Sequence, residues 1–269
     1  MNSLMKFLPF CNIASLGAGF SAHSAGVNQQ QFEDWVAARC GTGEPVYWYA
    51  RGDARVFPGG ERLYQFDFVE ENRLVVDPEN PEARVCLGRK ANLCLDKDTG
   101  EVLREFRGRP VTQLIYPYQV MAMSLHGGRV AAVATQGAGT FLRTYNLDDI
   151  VKVTSFGGRT YFDTGAMFTI RREEGVMNSF EYLTYVMPPD AGEQKNTNPS
   201  LSLTLAYERP VWAGGDGKSD YLLQHAVGMR VSTYDELPPH IRQFIETDAP
   251  VFRAPPADMA EIKRLQQGH

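Results

Sequence analysis

"VYWYARGDARVFPGGERLYQF", residues 46–66, decides how this chain is read, because apolar and polar positions alternate through nearly all of it. Alternation with a period of two marks β-strands, and two turn signals interrupt it, Arg51-Gly52-Asp53 and Pro58-Gly59-Gly60-Glu61. The stretch therefore predicts a meander of antiparallel strands. Within residues 46–50, Tyr47 and Tyr49 take one face while Val46, Trp48 and Ala50 take the other. Both faces carry bulk. Such a sheet is either covered on both sides or curled around a cavity with an aromatic wall and phenolic handles.

Working outward, Phe32, Trp35 and Val36 recur at helical spacing and Gly41 follows as a stop signal, which predicts a short helix over Gln29–Cys40 that lids or plugs one end of the sheet. Downstream come two strands around a loop at residues 77–81 and a hairpin turn at residues 96–100. In the strand Arg84–Leu95, Val85, Leu87, Ala91, Leu93 and Leu95 form one apolar face broken only by Arg89, and the opposite face is small or polar. Further strands are expected at residues 111–116, 119–124, 129–135, 160–170, 180–187, 201–207 and 221–226, with a short helical turn at 147–152. "STYDELPPHIRQFIETDAP" reads as a capped helix packed on the sheet, and a second short helix or frayed tail follows it. Residues 188–200 read as a mobile flap or a solvated loop. Many strands with few helices imply an all-β fold: an antiparallel, lipocalin-like β-barrel with an N-terminal helix and C-terminal helices, in one domain over residues 28–269.

Composition narrows the function. With 43% hydrophobic and 22% charged positions, the 269 residues suit one large globular domain. A net charge of −5 without a basic block argues against nucleic acid as a partner. Residues 1–27 read as a secretory leader, which would make the protein periplasmic or secreted, or else as a cytoplasmic extension; Pro9 and Asn12 interrupt the apolar stretch. No later segment reaches the roughly 20 apolar residues a membrane span needs. Cys11, Cys40, Cys86 and Cys94 lack metal-ligand spacing, and Cys86 and Cys94 are too far apart along one straight strand to bridge each other.

Three stretches carry a resemblance: "VYWYARGDARVFPGGERLYQFDFVEENR", "RVCLGRKANLCLDKDTGEVLREF" and "GMRVSTYDELPPHIRQFIETDAPVFRAPP". Together they resemble a bacterial family known as domain of unknown function eighteen thirty-eight, over roughly residues 28–256. The Asp-x-x-Thr-Gly-Glu turn and the Asp-Glu-Leu-Pro entry to the last helix are the most specific features. The resemblance implies a β-rich fold and supplies no catalytic residue. Where that family runs on into an Asn-Pro-x-Thr-Gly segment, this chain has "RGRPVTQLIYPYQ" instead.

No cofactor motif survives inspection, so no cofactor or metal is expected. "LGAGFSA" (residues 16–22) imitates a dinucleotide turn but lacks a strand before it, and "WAGGDGKS" has Trp212 where a phosphate loop needs its first glycine. His23, His126, His225, His240 and His269 are scattered, although a barrel can bring His126 and His225 together. No Gly-x-Ser-x-Gly elbow occurs. What remains is a set of phenolic, cationic and acidic side chains in apolar strands. In "FEYLTYVM", Glu181 and Tyr185 share one face, with Phe180, Tyr182 and Thr184 on the other. The candidate catalytic residues are Glu181 or His126 as base, Tyr185 or Tyr116 as acid and Arg51 as anion stabiliser. Tyr47, Tyr49, Tyr118, Arg89, His225 and Trp212 are the candidate substrate-binding residues. If these converge on one cavity, the leading reading is a cofactor-independent lyase or isomerase acting by acid-base chemistry on a small apolar, aromatic molecule, with release of an aldehyde fragment as one form. The alternative is a non-catalytic carrier for a small hydrophobic ligand. Self-association is compatible with either.

Overall fold

A computed structural model describes residues 26–79, 81–138, 141–172, 175–188, 198–216 and 220–267. In chain order the elements are α1 (Gln29–Cys40), β1 (Val46–Phe57), β2 (Arg62–Val75), β3 (Arg84–Leu95), β4 (Glu105–Phe106), β5 (Arg109–Pro110), β6 (Leu114–His126) and β7 (Arg129–Ala138). There follow β8 (Phe141–Leu147), β9 (Val151–Phe156), β10 (Arg159–Arg172), β11 (Gly175–Val186), β12 (Ser200–Glu208), β13 (Tyr221–Val231), α2 (Pro239–Asp248) and α3 (Met259–Gln267). Eleven of the strands form one antiparallel sheet, ordered β8-β7-β6-β3-β2-β1-β13-β12-β11-β10-β9, that curls into a half-barrel. The expected all-β, barrel-like fold is thus what forms. The two edge strands, β8 and β9, are consecutive in sequence, so the chain crosses from one limb of the curl to the other at residues 148–150. The Tyr145 and Phe168 rings meet edge to face at 4.5 Å across that gap.

Helices cover the convex side of the sheet, and the concave side holds α1 and a cleft beside it. Inward, Trp48, Tyr64, Phe66 and Phe68 pack with Phe32, Trp35 and Val36 of α1. Outward, Tyr47, Val69, Leu93 and Leu95 pack under Ile241, Phe244 and Ile245 of α2 and Phe252 after it. Val85, Leu87 and Tyr118 pack against Ile262 of α3. Helix α1 starts at a capping box, in which Asn28 and Gln31 exchange side-chain and backbone hydrogen bonds, and stops at Gly41, whose φ of 74° suits glycine. Its end is seated firmly. The Ala37 and Ala38 carbonyls accept from Arg230, and the Arg39 carbonyl accepts from Trp48 Nε1 and Asn72 Nδ2. A disulfide joins Cys40 to Cys86 of β3, with the two Cα atoms 5.8 Å apart.

Four expectations need correction. Arg51-Gly52-Asp53 is not a turn; it lies inside β1, and glycine is required because a Cβ at Gly52 would overlap the His225 carbonyl of β13. Residues 147–152 are not a helical turn but the end of β8, a bend with Asp149 at φ 51°, and the start of β9. The separate strands at 111–116 and 119–124 are one strand, β6, which continues through Pro117 by a bulge: Gly88 faces Gln119 and Lys90 faces Tyr116, leaving Arg89 opposite the extra residue. Finally, α2 has no side-chain cap; the Thr233–Glu236 hydrogen bond closes a 3-10 turn ahead of it, and Pro239 opens the helix. Residues 1–25 and 189–197, where the leader and most of the flap or loop were expected, lie outside the described residues. No helix among the described residues is long and apolar enough to cross a membrane.

Candidate functional site

Period-two alternation along the inner strands builds the site. On β2 the even-numbered positions Phe66, Phe68, Glu70 and Asn72 turn inward, and on β3 so do Cys86, Gly88, Lys90, Asn92 and Cys94. Between α1, β2, β3, β6 and β7 on one side and β10 and β11 on the other lies a cleft, open to solvent, with a cavity volume of about 50 Å³. Its walls are largely apolar, with Trp35, Met121, Ile150, Phe168 and Leu183 among them, and Arg39, Glu70, Gln119, Gln136 and Glu181 are among the polar groups.

Those polar groups form a relay. Gln136 Nε2 donates to Gln119 Oε1 at 3.1 Å, Gln119 Nε2 donates to Glu70 Oε1 at 3.3 Å, and Arg39 Nη2 donates to the same Glu70 oxygen at 3.0 Å. Arg39 Nη1 in turn donates to the Tyr185 hydroxyl at 2.6 Å. Beside this chain, Lys90 Nζ is 2.7 Å from Glu181 Oε2 and lies over the Phe68 ring. Burial works against the charge on Arg39, but Tyr185, Glu70 and Glu181 outweigh it and raise its pKa. Lys90 behaves likewise: burial opposes its charge, and Glu181 with Glu70 more than restores it. Burial also pushes the Tyr185 phenol up, with Arg39 pulling the other way. Within this cluster two cations thus face two carboxylates.

No family model, no curated protein and no solved structure matches this chain. The roles of these side chains are therefore argued from their surroundings alone.

Of the eleven residues named from sequence, three turn inward together: Glu181, Tyr185 and Tyr116. Tyr116 is buried opposite Lys90. The other eight do not join them. Tyr47 and Tyr49 lie on the convex side, where the Tyr47 hydroxyl donates to the Arg253 carbonyl and that of Tyr49 to Asp67. Arg51 is also outside, paired to Asp67 through Nε at 2.7 Å. Arg89 sits outside beneath the C-terminal segment, donating to the Ala254 carbonyl, the Pro117 carbonyl and Glu261. Tyr118 packs outside on Ile262 of α3. His225 is exposed on the convex face of β13, 3.1 Å from Thr204 Oγ1, and His126 is exposed at the β6–β7 turn. These two histidines are four strand positions apart, and no group of three metal-ligating side chains occurs among the described residues. Trp212 packs on Tyr64 and Phe106, beside the β4–β5 hairpin rather than in the cleft. The expected convergence fails because strand parity sends the odd-numbered residues of β1 outward and the bulge in β6 sends Tyr118 to the face opposite Tyr116.

Arg39, Glu70, Lys90, Gln119 and Gln136 were not singled out from sequence. Glu70 and Lys90 stand on the inward parity of β2 and β3, which alternation alone does not mark as inward. Arg39 is the last-turn arginine of α1. The convex side carries its own polar cluster, where fully buried Asp67 accepts from Arg51, from Tyr49 and, at 2.6 Å, from His240 of α2. That cluster ties α2 to β1 and β2.

Proposed function

We propose that this protein binds a small, predominantly apolar molecule in the concave cleft of the half-barrel. The observation that supports it is a concave, largely apolar-walled cleft beside two inward ion pairs, Arg39 with Glu70 and Lys90 with Glu181. Concave, mostly apolar spaces with a few placed polar groups are where small molecules bind. Balanced charges hold the walls in place without demanding an ionic guest, and α1, tethered by Cys40–Cys86, closes the floor. A panel of small aromatic and aliphatic molecules, screened by thermal shift, tests the reading. Ligands that bind should raise the melting temperature of the native chain and lose that effect in Ala134→Trp, which fills the cleft. A panel without a single stabilising member, or binding undiminished by the tryptophan, would remove the proposal.

A second reading, acid-base catalysis of a lyase or isomerase kind on the same molecule, is favoured by one observation: Glu181, Tyr185 and Tyr116 share the interior. With its pKa raised, Tyr185 would serve as a proton donor, and Glu181 beside protonated Lys90 would be the proton acceptor. Mass spectrometry of a bound ligand after incubation separates the readings. Product formation abolished by Glu181→Gln and Tyr185→Phe supports the enzyme, and unchanged ligand supports the carrier.

A further inference from the structure

Trp35 and Arg39 are four residues apart on α1, hence on one helix face, and both line the cleft. Each carries a buried N–H without an acceptor among the described residues: Trp35 Nε1 and Arg39 Nε. The other nitrogens of Arg39 are engaged, Nη1 by Tyr185 and Nη2 by Glu70. Trp35 is fully buried and the Arg39 side chain is nine-tenths buried. An indole N–H and a guanidinium can only donate, so what these two groups lack is an acceptor. Buried donors are rarely left unpaired in folded proteins, and an unpaired one beside a cavity is a point where a bound molecule gains affinity.

The charge balance then limits what that acceptor is. Glu70 already neutralises Arg39, and Glu181 neutralises Lys90. A carboxylate ligand would add an unmatched negative charge next to buried Glu70, and an ammonium ligand would bring no acceptor at all. A carbonyl oxygen has two lone pairs for two donors and no proton of its own to place. We infer that the ligand is an uncharged molecule with a carbonyl-type acceptor, an ester or ketone on an apolar body, whose oxygen takes the N–H groups of Trp35 and Arg39. This deepens the binding reading proposed above and rests on it.

Three probes of matched shape separate the cases: methyl naphthoate, ethylnaphthalene and the naphthoate anion, each measured by equilibrium dialysis against the full chain near neutral pH. Methyl naphthoate should bind about tenfold tighter than ethylnaphthalene, and the naphthoate anion at least about tenfold weaker than the ester. In Trp35→Phe, which keeps an aromatic ring and removes the N–H, the preference for the ester over ethylnaphthalene should fall by several-fold. If ethylnaphthalene matches the ester in the native chain, the two donors are satisfied otherwise and the inference fails, while binding in the cleft stands. Tightest binding by the naphthoate anion would overturn the choice of a neutral ligand. A preference for the ester unchanged in Trp35→Phe would overturn the role of the indole. Binding by none of the three would remove this inference, and the parent reading falls separately if the wider panel and the Ala134→Trp control also fail.

Discussion

Glu70 and Glu71 are neighbours on β2 that turn to opposite sides of the sheet, so glutamine placed at each in turn should change stability with opposite signs. Glu70 faces the cleft and pairs with Arg39 at 3.0 Å, with its side chain 3% exposed. Removing one partner of a buried pair leaves the other charge unanswered, and Glu70→Gln should lose about 3–5 kcal/mol. Glu71 faces the convex side between Tyr47 and Arg89, fully buried, and neither carboxyl oxygen has a hydrogen-bond partner among the described residues. Burial holds its pKa well above the usual carboxylate range, with Arg89 pulling the other way and Glu70 adding to the rise. The sign follows from proton binding. A folded pKa above the unfolded one means that the native state holds the extra proton, so stability falls as pH rises from the unfolded value of about 4.3 toward the folded one. Within that window the loss is about 1.4 kcal/mol per pH unit, and Glu71→Gln, which cannot titrate, escapes it. Urea unfolding followed by tryptophan fluorescence, from about pH 4 to about pH 8, should show Glu71→Gln equal to the native chain at the acid end and increasingly more stable above it. Glu70→Gln should be less stable at neutral pH. Parallel pH profiles for Glu71→Gln and the native chain, or a harmless Glu70→Gln, would refute the assignment of these two carboxyls to their faces.

Three further outcomes follow from the same contacts. Reducing the Cys40–Cys86 bond, which spans 46 residues, should lower stability by about 4 kcal/mol in the chain-entropy model, read from urea unfolding with and without reductant. Lys90→Met should lose about 3–5 kcal/mol by stranding Glu181, and Lys90→Met/Glu181→Leu should recover most of it, so that equal losses in the single and double variants would deny the pair its coupling. Asp67→Asn, by weakening the hold of Arg51 and His240, should speed amide hydrogen exchange in α2 while leaving β10–β12 unaffected, with a loss of about 1–3 kcal/mol.

How much of this was legible in the sequence depended on whether a signal was local. Helix α1 was readable to both ends because Phe32, Trp35 and Val36 keep helical spacing and Gly41 takes the positive φ that ends it. Strand β3 was readable because its apolar face is uninterrupted apart from Arg89. Strands β8 and β9 were missed because residues 147–152 read as a helical turn, although Asp148 and Asp149 only bend the chain from one limb of the curl to the other. Gly52 imitates a hairpin turn for a different reason: its glycine answers a close backbone approach from β13, a strand more than 160 residues away in sequence. A requirement set by a distant strand leaves a local mark that resembles something else.

The site was half legible for a related reason. Alternation assigns each residue to a face, and Glu181 and Tyr185 were placed together on that basis alone. It does not say which face is hollow. In β3 the apolar face, Val85 to Leu95, is the outer one, because α2, α3 and the segment joining them cover it; the small and polar face, with Gly88, Lys90 and Asn92, is the inner one. A reader who equates polar with outside inverts this strand. Parity also fails across a bulge: Tyr116 and Tyr118 would share a face in a regular strand, and the extra residue opposite Arg89 separates them, Tyr116 to the concave side beside Lys90 and Tyr118 to the convex side under α3. The polar groups that line the cleft therefore carry no mark of their own in the sequence. Glu70 and Lys90 become readable as interior only once the helices are known to pack on the other side.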